Sequence, residues 1–301
     1  MKKLLVFLFL LIMPISVFAY SDYVIVGGDT LGIKVNTKGV MVIGFYKIGK
    51  EYNKGSIPMQ NGDYIIKVEG NYVNSVEDLT NEIEKNIDKS TVKITFVRQG
   101  ITKETNLKLI KVDNVVKTGL FVKSSITGIG TLSYIDPKSR IFGALGHEIV
   151  ESATNDKVEI RSGEIFQNKI TGIEKSKNGM PGSKIAKFYY DTNYGNIYKN
   201  TKYGIFGYYD SNIDSNNLMK VSNEVKIGPA QIKTVTDGEK IETYNIEITS
   251  VNETSDLKNI LFKVNDEKLL SLTGGIVQGM SGSPIIQNGK LVGAVTQVIV
   301  C

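Results

Sequence analysis

The chain has 301 residues, of which 41% are hydrophobic and 22% charged, a composition typical of globular proteins with sizeable cores. Its net charge is +5, but it has no basic run and only three arginines, so the charge pattern does not favour nucleic-acid binding. The single cysteine, Cys301, excludes an intramolecular disulfide, and one histidine excludes a histidine-rich metal site. We therefore expect no metal and no other cofactor.

The first residues have the pattern of an export signal. Met1-Lys2-Lys3 is a short basic segment, residues 4–17 are almost wholly apolar, and a small-residue cleavage site ends at Ala19. Residues 1–19 are thus predicted to be a signal peptide, or a signal anchor that keeps the protein at the membrane. In both cases we expect the rest of the chain to work outside the cytoplasm.

Residues 20–111 are predicted to form one α+β module. Apolar runs with β-branched residues at 24–26, 40–45, 64–68 and 91–97 predict strands, separated by turns rich in glycine and asparagine. Ser75 and Asp78 form a variant capping box, which predicts a helix from about Val76 to Asn86.

One stretch of this module carries a resemblance. Residues 61–70, Asn-Gly-Asp-Tyr-Ile-Ile-Lys-Val-Glu-Gly, resemble a sequence pattern of PDZ domains. The resemblance implies a PDZ-like peptide-binding domain over residues 20–111, with its carboxylate-binding loop at Leu31, Gly32 and Ile33. The backbone N–H groups of that loop would hold a peptide C-terminus or an internal strand. The alternative is a module that packs against its neighbour and binds no peptide.

The candidate nucleophile is Ser281, which lies in the sequence Gly-Met-Ser-Gly-Ser-Pro. This arrangement has the Gly-x-Ser-Gly-x-Pro pattern of the nucleophile loop in chymotrypsin-like serine peptidases. Flanking glycines permit a sharp turn, so that the N–H groups of Gly279, Met280 and Ser281 can face a developing oxyanion. Ser283 precedes Pro284, which biases it to extended backbone, and is not expected to be the nucleophile. The alternative is that Ser281 is only a turn residue.

The only histidine, His147, is the candidate general base, since it follows a glycine-punctuated apolar segment that can present it at a strand end. The region between it and the serine has many short β-like runs, which predict a barrel or sandwich. A triad also needs a carboxylate to orient the imidazole. Asp266 is favoured because it closely precedes the serine loop, and the residues alone leave seven aspartates open: Asp136, Asp156, Asp191, Asp210, Asp214, Asp237 and Asp266.

Three segments, residues 143–147, 265–270 and 273–285, are similar to the SpoIVB peptidase family of endospore formers. The family also has an N-terminal signal followed by a PDZ domain. The resemblance implies a mainly β protein, with a chymotrypsin-like double β-barrel over residues 112–301 and a triad of His147, Asp266 and Ser281. Family members usually continue well past residues 294–300, so we expect this chain to be either truncated at its C-terminus or a divergent form.

By the same resemblance, the protein would be an exported serine endopeptidase of sporulation. It would act in the forespore intermembrane space and cut an exposed segment of a membrane-associated regulatory protein, which leads to activation of a late sigma factor. Two alternatives from other classes stay open. One is a catalytically inactive exported binding protein that acts through its PDZ-like domain. The other is a Ser–Lys hydrolase in which Lys290 or a more distant lysine is the base.

Overall fold

The computed structural model describes residues 21–297 except 114, 256 and 258, so the predicted signal segment lies outside the described residues. The described part is mainly β, with helices α1 (Val76–Lys85) and α2 (Glu267–Thr273) and a short 3-10 helix (Ser215–Asn217). No helix in it is both long and apolar enough to span a membrane. The strands are β1 (Tyr23–Val26), β2 (Thr30–Phe45), β3 (Lys47–Ile48), β4 (Glu51–Tyr52), β5 (Tyr64–Val68), β6 (Asn71–Tyr72), β7 (Thr91–Arg98), β8 (Ile101–Lys108), β9 (Ile110–Val112), β10 (Val115–Lys117), β11 (Leu120–Ile135), β12 (Ile141–Ala144), β13 (Ile160–Glu174), β14 (Ser183–Thr201), β15 (Gly204–Tyr209), β16 (Leu218–Val221), β17 (Gly228–Val235), β18 (Ile241–Val251), β19 (Ile260–Val264), β20 (Pro284–Gln287) and β21 (Lys290–Ala294).

Six antiparallel strands close into a ring and form a β-barrel. β2 pairs with β11 and β13, β13 with β14, β14 with β15, β15 with β12, and β12 with β11. The inward-facing side chains of these strands form the first core, which includes Leu31, Val35, Phe142, Ile165 and Ile205. Within the ring each strand thus pairs with a neighbour on both sides.

A second sheet carries the C-terminal part of the chain. β17 pairs with β18 and β20, β18 with β19, and β20 with β21, while β21 lies parallel to β16. β1 pairs with both β16 and β11 and so joins this sheet to the barrel. The core of the second sheet contains Ile232, Tyr244, Met280 and Ile285, and Leu269 of α2 packs into it.

The third core belongs to a smaller α+β module. Strands β5 to β8 and α1 pack against the second half of β2 and the first residues of β11, and they bury Val42, Leu79 and Phe96. The predicted helix is confirmed, and it has the predicted capping box. Ser75 accepts a hydrogen bond from the N–H of Asp78, and the Asp78 carboxylate accepts one from the N–H of Ser75.

The structure corrects two predictions about the N-terminal residues. The module does not occupy residues 20–111, because β1 and the first half of β2 belong to the barrel side. The predicted carboxylate-binding loop is also wrong, because Leu31, Gly32 and Ile33 pair with β11 on one edge and with β13 on the other. No backbone group is left there for an added peptide strand. Gly32 is required for packing, since a Cβ at this position would lie 2.2 Å from the ring of Phe166.

Candidate active site

Ser281 lies on a tight loop between α2 and β20, referred to below as the serine loop (residues 274–284). Gly279 and Gly282 have φ values of 93° and 95°, a region in which side chains are rarely tolerated. The Ser281 side chain is half-buried, and its Oγ donates to the carbonyl oxygen of Thr296 at 3.3 Å. Ser283, by contrast, is fully buried. The loop therefore presents Ser281 and hides Ser283.

Two of the three predicted oxyanion-hole donors are unpaired. The N–H of Met280 donates to the carbonyl oxygen of Val277 at 3.1 Å, so it is used within the loop itself. Among the described residues, the N–H groups of Gly279 and Ser281 have no acceptor. Two free donors beside a serine hydroxyl are the groups that an oxyanion hole needs.

His147 follows a strained turn at the end of β12. Leu145 and Gly146 have φ values of 72° and 68°, and a non-glycine residue in this region costs on the order of 1–3 kcal/mol. Nδ1 of His147 lies 2.8 Å from the carbonyl oxygen of Glu148. Because a carbonyl oxygen can only accept, Nδ1 carries the proton, and Nε2 of the neutral ring is free to act as a base.

The segment that carries His147 packs directly against the serine loop. A Cβ on Gly282 would lie 2.5 Å from the backbone nitrogen of Leu145, and a Cβ on Gly146 would lie 2.7 Å from the carbonyl oxygen of Val295. That same carbonyl accepts the N–H of Gly282 at 2.7 Å. The residue before His147 and the residue after Ser281 thus share one neighbour. In the described part of the chain, no hydrogen bond joins His147 to Ser281.

Polar side chains that were not predicted hold both segments in place. The Thr131 hydroxyl on β11 donates to the carbonyl oxygen of Gly279 at 2.8 Å, and the Ser133 hydroxyl donates to that of Gly282 at 2.7 Å. The Asn200 side chain on β14 bonds to the N–H and the carbonyl oxygen of Ile149, at 2.9 and 3.0 Å. No local sequence pattern distinguishes these residues from other polar residues of the strands.

Asp266 is engaged away from the histidine. Its Oδ1 accepts the N–H of Leu269 at 3.0 Å as the N-cap of α2, and its Oδ2 accepts the N–H of Asn245 at 3.1 Å. Neither oxygen bonds to His147, whose Nδ1 is taken by Glu148. The predicted triad is therefore not assembled in this structure, and the orienting role of Asp266 stays a prediction.

Two lysines bear on the Ser–Lys alternative. Lys290 begins β21 and is 41% exposed, with its Nζ 3.9 Å from a carboxylate oxygen of Glu224. Lys184 is buried beneath the serine loop, but its Nζ donates to the hydroxyl of Thr234 at 2.9 Å and not to Ser281. Neither lysine is placed to take the proton of Ser281.

An accessible serine hydroxyl, two free N–H donors and a histidine on an adjoining segment are the parts that serine peptidases combine. The model of the SpoIVB peptidase S55 family matches residues 114–301, so the chain belongs to this family of serine peptidases. The match confirms the resemblance and the enzyme class, and it spans His147, Asp266 and Ser281. No curated protein in the comparison matches the chain.

Proposed function

We propose that the protein is an exported serine endopeptidase of the SpoIVB type, with Ser281 as the nucleophile and His147 as the general base. The observation that carries the proposal is the packing of Leu145 against Gly282, beside the unpaired N–H groups of Gly279 and Ser281. The chymotrypsin-like double β-barrel is part of the same proposal. The closed barrel and the second sheet, with Ser281 and His147 between their cores, support it.

The chemistry follows from these positions. Nε2 of His147 takes the hydroxyl proton as Oγ of Ser281 attacks the carbonyl carbon of the scissile bond, and the N–H groups of Gly279 and Ser281 stabilise the oxyanion. The imidazolium then gives the proton to the leaving amine, and water hydrolyses the acyl-enzyme. Because Oγ now donates to Thr296, it must rotate toward His147 when substrate binds. Catalytic hydrogen bonds are often long or misaligned in free enzymes.

The test is active-site labelling with a fluorophosphonate, followed by mapping of the modified residue. We expect the label on Ser281, no labelling or peptide cleavage in Ser281→Ala, and strongly reduced rates in His147→Ala. The Ser283→Ala protein is the matched control and should label normally, since that hydroxyl is buried. Labelling of Ser283, or full activity in Ser281→Ala, would reject the assignment.

The biological setting is proposed from the family. Membership supports a role in sporulation, and the basic and apolar pattern of residues 1–19 supports export. The peptidase would then cut an exposed segment of a membrane-associated regulatory protein in the forespore intermembrane space and so trigger late sigma-factor activation. Fractionation of sporulating cells tests this, since a cytoplasmic, unprocessed protein would contradict it.

We also propose that the α+β module is PDZ-like and binds an extended segment of a protein partner. A groove of about 650 Å³ lies between α1 and the start of β11, and apolar side chains such as Leu79, Ile83 and Val122 line it. One edge of β11 pairs with β2 over residues 120–123. The other edge pairs with no strand among the described residues, so an added strand could hydrogen-bond there. The proposal moves the peptide-binding loop from Leu31–Ile33 to Thr118–Leu120.

A further inference from the structure

Lys184 is a buried lysine that the mechanism above does not use. It lies near the start of β14, is 4% exposed, and pairs across the sheet with Ile173 of β13. Its Nζ makes one hydrogen bond, to the hydroxyl of Thr234 on β17 at 2.9 Å. Burial of a lysine without a partner of opposite charge is rare, because the loss of hydration of an ammonium group costs several kcal/mol.

The ionisable groups on the neighbouring strands do not supply that opposite charge. Glu174 on β13 accepts a hydrogen bond from Ser183 at 2.9 Å, and Glu242 on β18 accepts bonds from Tyr244 and Lys268 at 2.6 and 2.7 Å. The serine loop contains no ionisable side chain. Burial is the only cause that acts on the pKa of Lys184, and it lowers that pKa to about 7.

Lys184 contacts the serine loop at two points. Its backbone N–H donates to the carbonyl oxygen of Gln278 at 3.0 Å. Its Cδ and Cβ lie 3.0 and 3.2 Å from the point where a Cβ on Gly279 would stand. The stem of the side chain thus fills the space next to Gly279, whose N–H is one of the two free donors.

We propose that Lys184 is a positioning residue for the oxyanion hole, whose stem, anchored at Nζ by Thr234, holds Gly279 in place. The inference rests on the proposed peptidase function. An ammonium group has three N–H donors, and the described side chains offer it only Thr234, so the anchored position suits the neutral amine. Protonation draws Nζ toward water and removes the stem from beside Gly279. Acid therefore disables the site through Lys184.

The experiment compares the rate of Ser281 labelling by a fluorophosphonate from pH 6 to pH 9 in three proteins: wild type, Lys184→Met and Lys187→Met. Methionine keeps the stem without the amine, and Lys187 is an exposed lysine of the same strand. At pH 6, one unit below the pKa of about 7, the wild type and Lys187→Met lose roughly tenfold in rate through Lys184. Lys184→Met does not have this loss, so its ratio of rates at pH 6 and pH 8 is roughly tenfold higher.

Thermal unfolding gives a second readout. The folded pKa of Lys184 is lowered from the model-peptide value of 10.5, so the unfolded chain binds more protons between about pH 7 and pH 10.5. The stability of the wild type consequently rises with pH across that window. Lys184→Met lacks this rise, so its gain in Tm is largest near pH 7 and shrinks toward pH 10.5.

Three outcomes overturn the proposal. If the pH profile of labelling in Lys184→Met superimposes on that of the wild type, Lys184 only fills space in the core. If a folded Lys184→Met protein does not label at all, Lys184 is the general base. If the wild-type protein takes no label, the proposed peptidase function is rejected. The Tm series still tests the buried Lys184, because thermal unfolding does not depend on activity. If Lys184→Met does not fold, Thr234→Val removes the anchor alone and should slow labelling at pH 8, while unchanged labelling counts against the proposal.

Discussion

At the level of single residues, backbone carbonyls take the positions where the Asp266 carboxylate and the His147 imidazole were expected. The Glu148 carbonyl holds Nδ1 of His147, and the Thr296 carbonyl accepts the hydroxyl of Ser281. A carbonyl can fix the ring and its tautomer, but it lacks the full negative charge that stabilises an imidazolium. This arrangement fits an enzyme at rest, in which the hydroxyl has yet to turn toward the base.

The role of Asp266 is the residue-level prediction. As the N-cap of α2 it orders the helix that leads into the serine loop, and asparagine caps about as well as aspartate. We therefore expect Asp266→Asn to label Ser281 within about tenfold of wild type. Asp266→Ala should lose roughly 1 kcal/mol of unfolding free energy and label more slowly. Denaturant unfolding and labelling rates measure both effects.

The matched control is Asp214→Ala, which removes the cap of the short 3-10 helix, away from the serine loop. It should leave the labelling rate unchanged. A loss of roughly 10⁴-fold in Asp266→Asn would contradict the capping role, since a loss of that size is the effect of a missing triad carboxylate. That result would support the triad of His147, Asp266 and Ser281 that the family resemblance implies.

The special backbone beside Ser281 and His147 could be predicted, because glycines adjoin both residues, while their catalytic roles stay predictions. Asp266 shows where the sequence leaves a role open, and its orienting role stays a prediction. An aspartate three residues before a buried leucine, with Gly274 at the end of the segment, is equally the pattern of a capped helix. Only the direction of the Asp266 side chain distinguishes a helix N-cap from a triad carboxylate. The burial of Lys184 could not be predicted from the sequence, because it depends on strands that are distant in sequence.

At the level of elements, β11 connects the groove, the serine loop and the segment that follows His147. Its first residues line the groove, and Thr131 and Ser133 hold the serine loop. Nζ of Lys123 also contacts both carboxylate oxygens of Glu151, at 3.2 and 3.0 Å. Glu151 is 2% exposed and lies in the connection from His147 to β13. The ion pair thus ties the base-carrying segment to the module.

The ion pair of Lys123 and Glu151 is expected to stabilise the fold in a pH-dependent way. Burial raises the pKa of Glu151, but hydrogen bonds from Lys123 and Ala153 outweigh it, so the pKa lies below its usual value. A depressed carboxylate pKa contributes stability above the unfolded pKa, and this stability is lost as the pH falls through the folded pKa. We expect Glu151→Gln to reduce the unfolding free energy by about 1–3 kcal/mol at pH 7. In denaturant unfolding below the folded pKa, the difference should vanish.

Glu159→Gln is the control, since Glu159 pairs with Lys38 at 3.6 Å but is about half exposed. Exposed pairs contribute at most about 1 kcal/mol, so this change should be small at every pH. Equal losses in the two variants, or a Glu151→Gln loss that does not depend on pH, would show that the buried pair is not a stabilising link.

The pairing of the strands could not be predicted from the sequence, although most of the strands could. The apolar run at residues 40–45 is a strand, as predicted, but residues 31–35 belong to the same strand, β2. Its first half is buried in the barrel and its second half in the module. Local alternation indicates a strand but does not say which distant strands pair with it. The Leu-Gly-Ile pattern was therefore assigned to a peptide-binding loop, although the ring of Phe166 explains the glycine.

At the level of the whole molecule, the barrel and the α+β module are not separate domains joined by a linker. β2 and β11 each contribute side chains to both the barrel core and the module core. The groove and the candidate catalytic residues therefore lie on one continuous framework. A partner docked at the start of β11 lies on the same strand that holds Gly279 and Gly282, which suits a module that presents substrates to the site.

The last prediction separates docking from bond cleavage. A double variant, Val76→Glu with Ile87→Glu, places two carboxylates at the rim of the groove. Both residues are more than a third exposed, so the core is not disturbed, and glutamate is favourable in the first turn of α1. Ile101→Glu is the control, because it places a charge on the same module at a residue that is 62% exposed and does not line the groove.

We expect the double variant to label Ser281 at the wild-type rate, since a small fluorophosphonate does not use the groove. Cleavage of a full-length protein substrate should fall by about tenfold or more, because buried carboxylates oppose docking of an apolar strand. Ile101→Glu should match wild type in both assays. Equal loss of labelling and cleavage in a folded double variant would mean that the module builds the active site. If both activities were normal, the groove would not be the site where protein substrates dock.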